Sequence, residues 1–470
     1  MSHLLVVELP GGNDGDILAA ALAMGHRFTL MTGQPAHYRA QPALAPLLAQ
    51  ASAVIDVGWM EPPALLARLR RAHAADPFGA VLCLQDLRIT EAALVAEALG
   101  LAHLSPAAAA LCRNKPAVRA RLAAAGIAQP AFAEVEGAEE LLAAVRRIGL
   151  PVIVKPADGF GSQNIFALRC RQDLATLEAL AELVAAGPGA YGLGVAASGR
   201  LLVERLVEGP VIGCDTMTAN GAHRLLGVNE KLYFPPPSFA IEGGCLTANV
   251  GQFAAIEAYV FALLDAVGFN HGAAHIELAL GADGPQLIEI NPRLVGARIG
   301  RLLSAVRGGS VHEALIGLHL DGRLPAPAAA PHHAVTRWLA APAAGILDAI
   351  TLPGPLGEAR ARLVEVAVLA QPGASVLPPL DNADRLACIM TAGPDRAAAE
   401  RLAERIRAHT RITMRAAAQA PLTDTAQAPL ADSAQAPLAD TAQAPLAGAA
   451  RAPLAGAADS RKAAAKTAQN

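Results

Sequence analysis

The stretch His275-Ile-Glu-Leu-Ala-Leu, Gly-Ala-Asp-Gly-Pro, Gln286-Leu-Ile-Glu-Ile-Asn-Pro-Arg293 constrains this chain more than any other. Both flanks alternate polar and apolar residues with the two-residue period of half-buried strands, and Asp283-Gly284 between them is a strong hairpin turn signal. A hairpin in which Leu280 faces Gln286 across the loop 281–285 sets Glu277 opposite Glu289 and His275 opposite Asn291. All four then share one face, with Ile276, Leu278, Ile288 and Ile290 on the other. Like charges directly opposite are destabilising, so the pattern makes sense only with one carboxylate protonated or a cation between the two. A hard, oxygen-seeking ion fits best: Mg²⁺ takes one or two carboxylates, keeps several waters and draws further ligands from phosphates. The plain alternative is the solvated polar face of a surface hairpin.

Lysine is scarce. Of 38 basic residues, only those at 115, 155, 231, 462 and 466 are lysine. In a chain that uses arginine almost everywhere, Lys115, Lys155 and Lys231 mark positions suited to a compact ammonium, such as a point contact to phosphate. Lys115 precedes Pro116, which can open a helix ending near Gly126. Lys155 ends the apolar run Pro151-Val-Ile-Val, and Lys231 follows Asn229-Glu230. Scattered solvated charges are the plain reading of the same three residues.

After Lys155 comes Pro-Ala-Asp-Gly159-Phe-Gly161-Ser162-Gln163-Asn164 and then a second apolar run, Ile165 to Leu168. Glycines there let backbone N–H groups close around an anion, and Ser162 adds a hydroxyl donor. The loop lacks the Gly-Lys-Ser/Thr ending of a P-loop and opens no helix, so neither a Walker nor a Rossmann reading applies. Arg200-Leu-Leu-Val-Glu204-Arg205-Leu206-Val-Glu208-Gly209-Pro210 is an apolar strand running into a charged hinge. Such a hinge can offer backbone edges to a purine while a carboxylate accepts from its amine.

Taken in this order, the segments resemble the ATP-grasp superfamily, and within it carboxylate–amine ligases of the L-amino acid (dipeptide) ligase kind, over about residues 105–310. Gly272-Ala-Ala-His275-Ile-Glu277 and Leu294-Val-Gly296-Ala-Arg298-Ile also resemble that subgroup. The resemblance implies an α/β fold in which two α+β lobes grip ATP, preceded by a Rossmann-like parallel α/β domain. By position it assigns Lys115 and Lys155, with Lys231, to the ATP phosphates. The loop Gly159, Gly161, Ser162 and Gln163 would close over them, and Glu204 with the backbone of Arg205 and Leu206 would hold adenine. Glu277, Glu289 and Asn291 match ligands of Mg²⁺ or Mn²⁺. Arg293, with Arg298, would steady the reacting carboxyl group, and His275 would position the amine. The implied reaction phosphorylates a carboxylate, lets an amine attack the acyl phosphate, and releases ADP and phosphate. One departure stands out: Val211 follows the Gly-Pro of the hinge where many relatives carry an acidic ribose ligand, leaving Glu208 or Asp215 as substitutes.

At 470 residues the chain can bury several cores. Charges interrupt every apolar run before membrane length, and Glu8 breaks the N-terminal run early without a preceding basic region. The expected setting is the cytoplasm, with small-molecule acid and amine substrates, no membrane partner and room for a homodimer. Six cysteines without Cys-x-x-Cys spacing read as buried free thiols. A net charge of −3 and 3% aromatic residues give neither a basic stripe nor a stacking platform for nucleic acid.

The expected organisation has five parts. Residues 1–105 alternate strands (Leu4 to Glu8, Ala53 to Val57, Ala80 to Leu84) with helices, as parallel α/β domains do. Pro10 to Gly15 reads as a tight turn, and Gln85-Asp86 sits where open sheets place ligands. Residues 106–190 form the small lobe and 191–330 the large lobe with hinge and hairpin. Leu232 to Gly244 is too proline-rich for regular structure and reads as a loop carrying Tyr233, Phe239 and Glu242 toward a second substrate. Residues 331–415 form a small accessory α/β domain, and 416–470 a disordered tail whose proline-containing octapeptide recurs too densely for a packed repeat. The competing functions are a carboxylate–thiol or biotin-carboxylase-like enzyme, the latter disfavoured by the absence of a Met-Lys-Met sequence, and a nucleotide-binding protein without turnover.

Overall fold

Three runs of Val, Leu and Ile near the N-terminus do form parallel strands, joined by a fourth that the alternation did not reveal. The computed structural model describes residues 1–416 apart from 10–14, 59–61, 160–163, 176–189, 193–194, 237, 297, 329–331, 359 and 381. Strands β1 (His3–Val7), β2 (Arg27–Thr32), β3 (Ala53–Asp56) and β4 (Ala80–Cys83) are ordered β3-β2-β1-β4. All three pairings are parallel. Helices α1 (Asp16–Ala23), α2 (Pro62–Ala75) and α3 (Ile89–Leu99) cover them. Both faces of β1 are buried, as its unbroken apolar run requires. The turn expected at Pro10 to Gly15 lies outside the described residues except for Gly15.

Helices α4 (Pro106–Cys112) and α5 (Lys115–Ala124) connect this domain to the lobes. Helix α5 starts where Pro116 suggested, capped by Asn114, whose side chain accepts from the Ala117 N–H at 3.0 Å. The small lobe is an antiparallel sheet of β5 (Phe132–Val135), β6 (Val152–Pro156), β7 (Phe166–Leu168) and β10 (Leu201–Arg205), ordered β5-β10-β6-β7. Helix α6 (Gly137–Ile148) packs Leu141, Ala144 and Val145 on it. A separate hairpin joins β8 (Ala190–Gly192) and β9 (Val195–Ala196). Strand β10 therefore sits in the middle of the small lobe's sheet, and the expectation that the large lobe begins at 191 is corrected.

The large lobe contributes β11 (Val211–Ala219), β12 (Ala222–Tyr233), β13 (Ile241–Thr247), α7 (Ala254–Ala266), β14 (Gly272–Gly281), β15 (Gly284–Asn291), α8 (Ile299–Arg307) and α9 (Val311–Asp321). The C-terminal segment adds β16 (His333–Ala340), β17 (Gly345–Thr351), β18 (Arg362–Val368), β19 (Ser375–Val376), β20 (Arg385–Gly393), α10 (Arg396–His409) and β21 (Arg411–Arg415). One eight-stranded sheet, β15-β14-β11-β12-β13-β16-β20-β18, runs through both. The C-terminal part continues the large lobe's sheet: Gly243 to Thr247 of β13 pair with His333 to Arg337 of β16. The loop expected over 232–244 shrinks to Phe234–Ala240, because β12 runs through Tyr233 and β13 begins at Ile241.

One apolar core joins Leu4, Val6 and Leu30 of the first domain to Leu246, Leu302 and Leu303 of the large lobe and to Trp338 and Met390 beyond it. On the opposite face of the sheet, Ile212, Cys214, Ile276 and Leu278 pack against Val260, Leu263 and Leu264 of α7. Five cysteines are buried and free as expected, but Cys170 is exposed. No described helix is long and apolar enough to cross a membrane. The repeat segment lies outside the described residues from 417 onward.

Candidate active site

The floor of the site is the β15-β14-β11-β12 end of the long sheet, and its side chains follow from register alone. Glu289 pairs with Glu277, Glu277 with Gly213, and Gly213 with Asn229. In the next row Asn291 pairs with His275, His275 with Asp215, and Asp215 with Gly227. Directly opposed residues share a face, so these groups meet on one surface. The hairpin turn itself differs from expectation. Gly281 pairs with Gly284 and Leu280 with Pro285, so the loop 281–285 is replaced by a two-residue turn at Ala282-Asp283. A bulge restores the register: Leu278 faces Leu287, Glu277 faces Glu289, and Ile288 is the extra residue. Leu287, 1% exposed, takes the core position expected for Ile288.

The two carboxylates sit opposite each other, but each already has its own ammonium. Lys231 Nζ binds Glu277 Oε1, and Lys115 Nζ lies 3.5 Å from Glu289 Oε2. Asn291 Nδ2 donates to Glu289 Oε1 at 3.0 Å. The premise that only protonation or a bound metal could reconcile the carboxylates is therefore corrected: the lysines neutralise them. Burial acts to raise the pKa of Glu277, yet Lys231 and His275 outweigh it and hold the carboxyl well below its ordinary range. Burial lowers the Lys115 pKa, with Lys155 and Arg113 adding to the effect against Glu289. Among the described residues no three His, Cys, Asp or Glu side chains form a ready metal cage. Two carboxylates and one amide on one face fit an oxygen-seeking ion that keeps water and shares phosphate oxygens.

His275 is held at both ring nitrogens. Asp215 Oδ1 is 2.8 Å from Nδ1 and Glu277 Oε1 is 3.3 Å from Nε2. The ring lies so close over Gly213 that a methyl group there would collide with it, which is why β11 carries glycine at this row. Burial pulls the imidazole pKa down, but Asp215 and Glu277 reverse the sign and leave it raised. Asp215 is thereby committed to His275. Glu208, the other residue considered for ribose, is exposed and pairs with Arg169 at 3.4 Å. Tyr233 is close enough to Glu277 and Glu289 that they add to the burial raising its phenol pKa. The Phe239 backbone N–H donates to the Leu380 carbonyl at 3.3 Å, and Glu242, expected beside Tyr233, pairs instead with Arg407 of the C-terminal segment at 3.6 Å.

Lys155 is buried and binds Glu204 Oε2 at 2.6 Å, with the Ile288 carbonyl at 3.4 Å. Glu204 also receives Arg119 Nε. Burial acts to raise the Glu204 pKa, but Arg119 and Lys155 hold it near about 2. Its carboxylate is thus filled by cations rather than turned out to accept an amine. The hinge N–H groups of Arg205 and Leu206 donate to the carbonyls of Ala131 and Pro151, at 2.8 and 3.0 Å, so the donor edge expected there is already used. The Gly159 carbonyl accepts from Lys115, while Gly161, Ser162 and Gln163 lie outside the described residues.

Arg293 reaches across a domain boundary. Its Nε donates to Asp86 Oδ2 at 2.7 Å and Nη2 binds the same oxygen, so Asp86, at the start of the short helical turn Asp86–Arg88 after β4, holds the guanidinium rather than capping a loop. Burial lowers the Arg293 pKa, but Asp86, Glu289 and Glu277 leave it raised. Arg298, at φ 67°, turns to Glu365 of β18, and Arg301 joins Glu365 to Asp16 of α1. Its ion partner is thus in the C-terminal segment and not on the hairpin. Arg119 was missed, although its spacing of four from Lys115 puts both on one side of a helix.

Residues 148–301 match a family model described as ATP-grasp domain, and residues 337–415 match L-amino acid ligase C-terminal domain 2. Residues 148–301 thus carry an ATP-grasp domain. The chain's fold is similar to the crystal structure of an L-amino acid ligase from Bacillus licheniformis, with a TM-score of 0.70 at 19% identity, covering 88% of this chain and 99% of that one. An uncharacterized protein, y4rH, of Sinorhizobium fredii (strain NBRC 101917 / NGR234) is 27% identical over 303 residues, 63% of this chain and 59% of the relative. An L-arginine-specific L-amino acid ligase of Bacillus subtilis is 26% identical over 232 residues, 48% of this chain and 54% of the relative. The chain thus spans between 54% and 59% of these two relatives.

Proposed function

We propose that this protein is an ATP-dependent carboxylate–amine ligase acting on amino acids through an acyl phosphate and releasing ADP and phosphate. The observation that carries the reading is the opposed pair Glu277 and Glu289, each beside its own lysine and next to Asn291. In this reading a divalent cation, Mg²⁺ or Mn²⁺, held by those three residues would neutralise charge shared with the ATP phosphates. Lys115, Lys155 and Lys231 trade their carboxylate partners for phosphate oxygens, and the segment from Gly159 through Gly161, Ser162 and Gln163 covers them. The chain at Glu204, Arg205 and Leu206 borders the adenine, with Glu204 acting through Lys155.

The substrate carboxylate attacks the terminal phosphorus, and the P–O bond to ADP breaks. The amine then attacks the acyl carbon, and the C–O bond to phosphate breaks. Arg293, held in place by Asp86, steadies the reacting carboxyl in the first step and stabilises the tetrahedral oxyanion in the second, while Arg298 supports the same wall through Glu365. His275, oriented by Asp215, borders the incoming amine. No side chain needs to form a covalent intermediate. Amino acids as substrates are supported by the L-amino acid ligase C-terminal match and by the B. subtilis relative's name. Incubation with ATP, Mg²⁺ and paired amino acids should give ADP in step with a mass-detectable amide. ATP consumption with AMP and pyrophosphate as stoichiometric products would remove the proposal.

A further inference from the structure

We propose that Arg119 is a positioning residue that sets both halves of the nucleotide site at once, the metal-facing Glu289 and the phosphate-facing Lys155. The proposal rests on the ligase reading only in taking those two residues as nucleotide-site groups.

Arg119 is 1% exposed, and a guanidinium so buried must find acceptors for a planar set of donors. It finds them on two different lobes. Nε binds Glu204 of β10 in the small lobe. Nη2 donates to the carbonyls of Leu287 and Ile288 of β15 in the large lobe, at 2.7 and 3.1 Å. Those two carbonyls belong to the bulge. A bulge takes backbone groups out of the ladder, and buried groups left that way must be satisfied elsewhere. Here the Leu287 N–H donates to Tyr259 Oη at 3.1 Å, Arg119 takes both carbonyls, and Lys155 adds a contact of 3.4 Å to Ile288. The residue that follows is Glu289. Holding the bulge therefore determines where that carboxylate stands opposite Glu277.

The same guanidinium acts on Lys155 through Glu204. Alone with Lys155, at 2.6 Å, the carboxylate would cancel the ammonium. With Arg119 present, two cations share one anion, and the cluster keeps net positive charge for a phosphate. Lysine at 119 would keep the charge but lacks the planar fork that reaches a carboxylate and two carbonyls together. The lysine that touches Glu289, Lys115, lies one turn earlier on the same helix α5. One helix thus ties the small lobe's strand to the large lobe's hairpin and carries a phosphate-directed lysine at its start.

The test is calorimetric binding of a non-hydrolysable ATP analogue with and without Mg²⁺ to the parent chain, R119K and the double variant R119M/E204Q. The double variant removes one cation and one anion, so the cluster's net charge is unchanged and only geometry is altered. Binding with Mg²⁺ should weaken at least tenfold in both variants, and the gain in affinity on adding Mg²⁺ should shrink, while each still melts cooperatively. Parent-like affinity, within twofold, in a cooperatively melting variant overturns the proposal. So does failure of both variants to melt cooperatively, since Arg119 would then be a determinant of folding and not of site geometry. If the parent itself binds no Mg²⁺-nucleotide, the ligase reading fails first; parent binding with indifferent variants removes only Arg119.

Discussion

At the scale of single residues, the candidate site is a set of paired charges, and under the proposed function these must change partners for a nucleotide to bind. Glu289 is half-buried and its partner Lys115 also contacts the Gly159 carbonyl, so Glu289→Gln leaves the ammonium a second acceptor. Turnover should fall at least about a hundredfold while stability moves by no more than about 0.5 kcal/mol. Measured kcat and melting temperature for that variant check both parts. Near-normal kcat would make the hairpin structural. Asp86 is different, because it is buried and carries Arg293 alone among the described acids. Asp86→Asn should cost about 3 kcal/mol, as breaking one side of a buried pair does, and should lower kcat more than it raises KM for ATP. Urea unfolding and steady-state kinetics read these separately. The placement of Glu277, Glu289, Lys115 and Lys231 in one cluster was approachable from sequence because alternation and lysine scarcity are local signals. Arg119 and Asp86 were not singled out with their partners, since each acts across about 85 residues or more of chain, to Glu204 and to Arg293.

At the scale of elements, local periodicity located most strands and helices, and tertiary packing decided what it left open. The pairing of Glu277 with Glu289 was legible from alternation, but the tight turn was not, because a bulge at Ile288 offsets a shorter loop without changing the face of either carboxylate. Strand β2 was missed because Arg27 and Thr29 break its apolar run, although Phe28, Leu30 and Met31 are buried. The proline run after Tyr233 suggested a long loop, yet glycines at 243 and 244 continue β13, where neighbouring backbone leaves no room for larger residues. Three histidines meet at the joint between elements: the His103 ring lies 5.3 Å from His319, and His271 lies 5.1 Å from it. Burial holds all three pKa values down, that of His103 at about 4. Their folded values lie below the unfolded value, so above about pH 6.5 they cost nothing. As pH falls from there toward 4 the unfolded chain takes up protons first and stability drops, at up to about 1.4 kcal/mol per pH unit for each imidazole. Urea unfolding between pH 7.5 and 4.5 should show that slope, reduced when His271 and His319 are both replaced by Gln. An unchanged slope in the double variant would remove these residues from the acid response.

At the scale of the whole molecule, the first domain, the large lobe and the C-terminal segment share one core, and the last two share one long sheet. Alternation located a C-terminal domain, but its pairing to the large lobe through β13 and β16 is encoded by no local pattern. Ending the chain at residue 331 should therefore expose the β13 edge and the core around Leu246 and give an aggregating product. Ending it at 416 should leave melting temperature and activity near those of the full chain, because the repeats carry little that could pack. Size-exclusion profiles and melting curves of the two truncations compare these outcomes. All of this geometry serves one claim, that a carboxylate oxygen is passed to phosphorus before the amine arrives. Turnover with an amino acid whose carboxylate carries ¹⁸O reports it directly. The acyl-phosphate route predicts one labelled oxygen per turnover in the inorganic phosphate and none in the nucleotide; label appearing in AMP, or unlabelled phosphate, would contradict it.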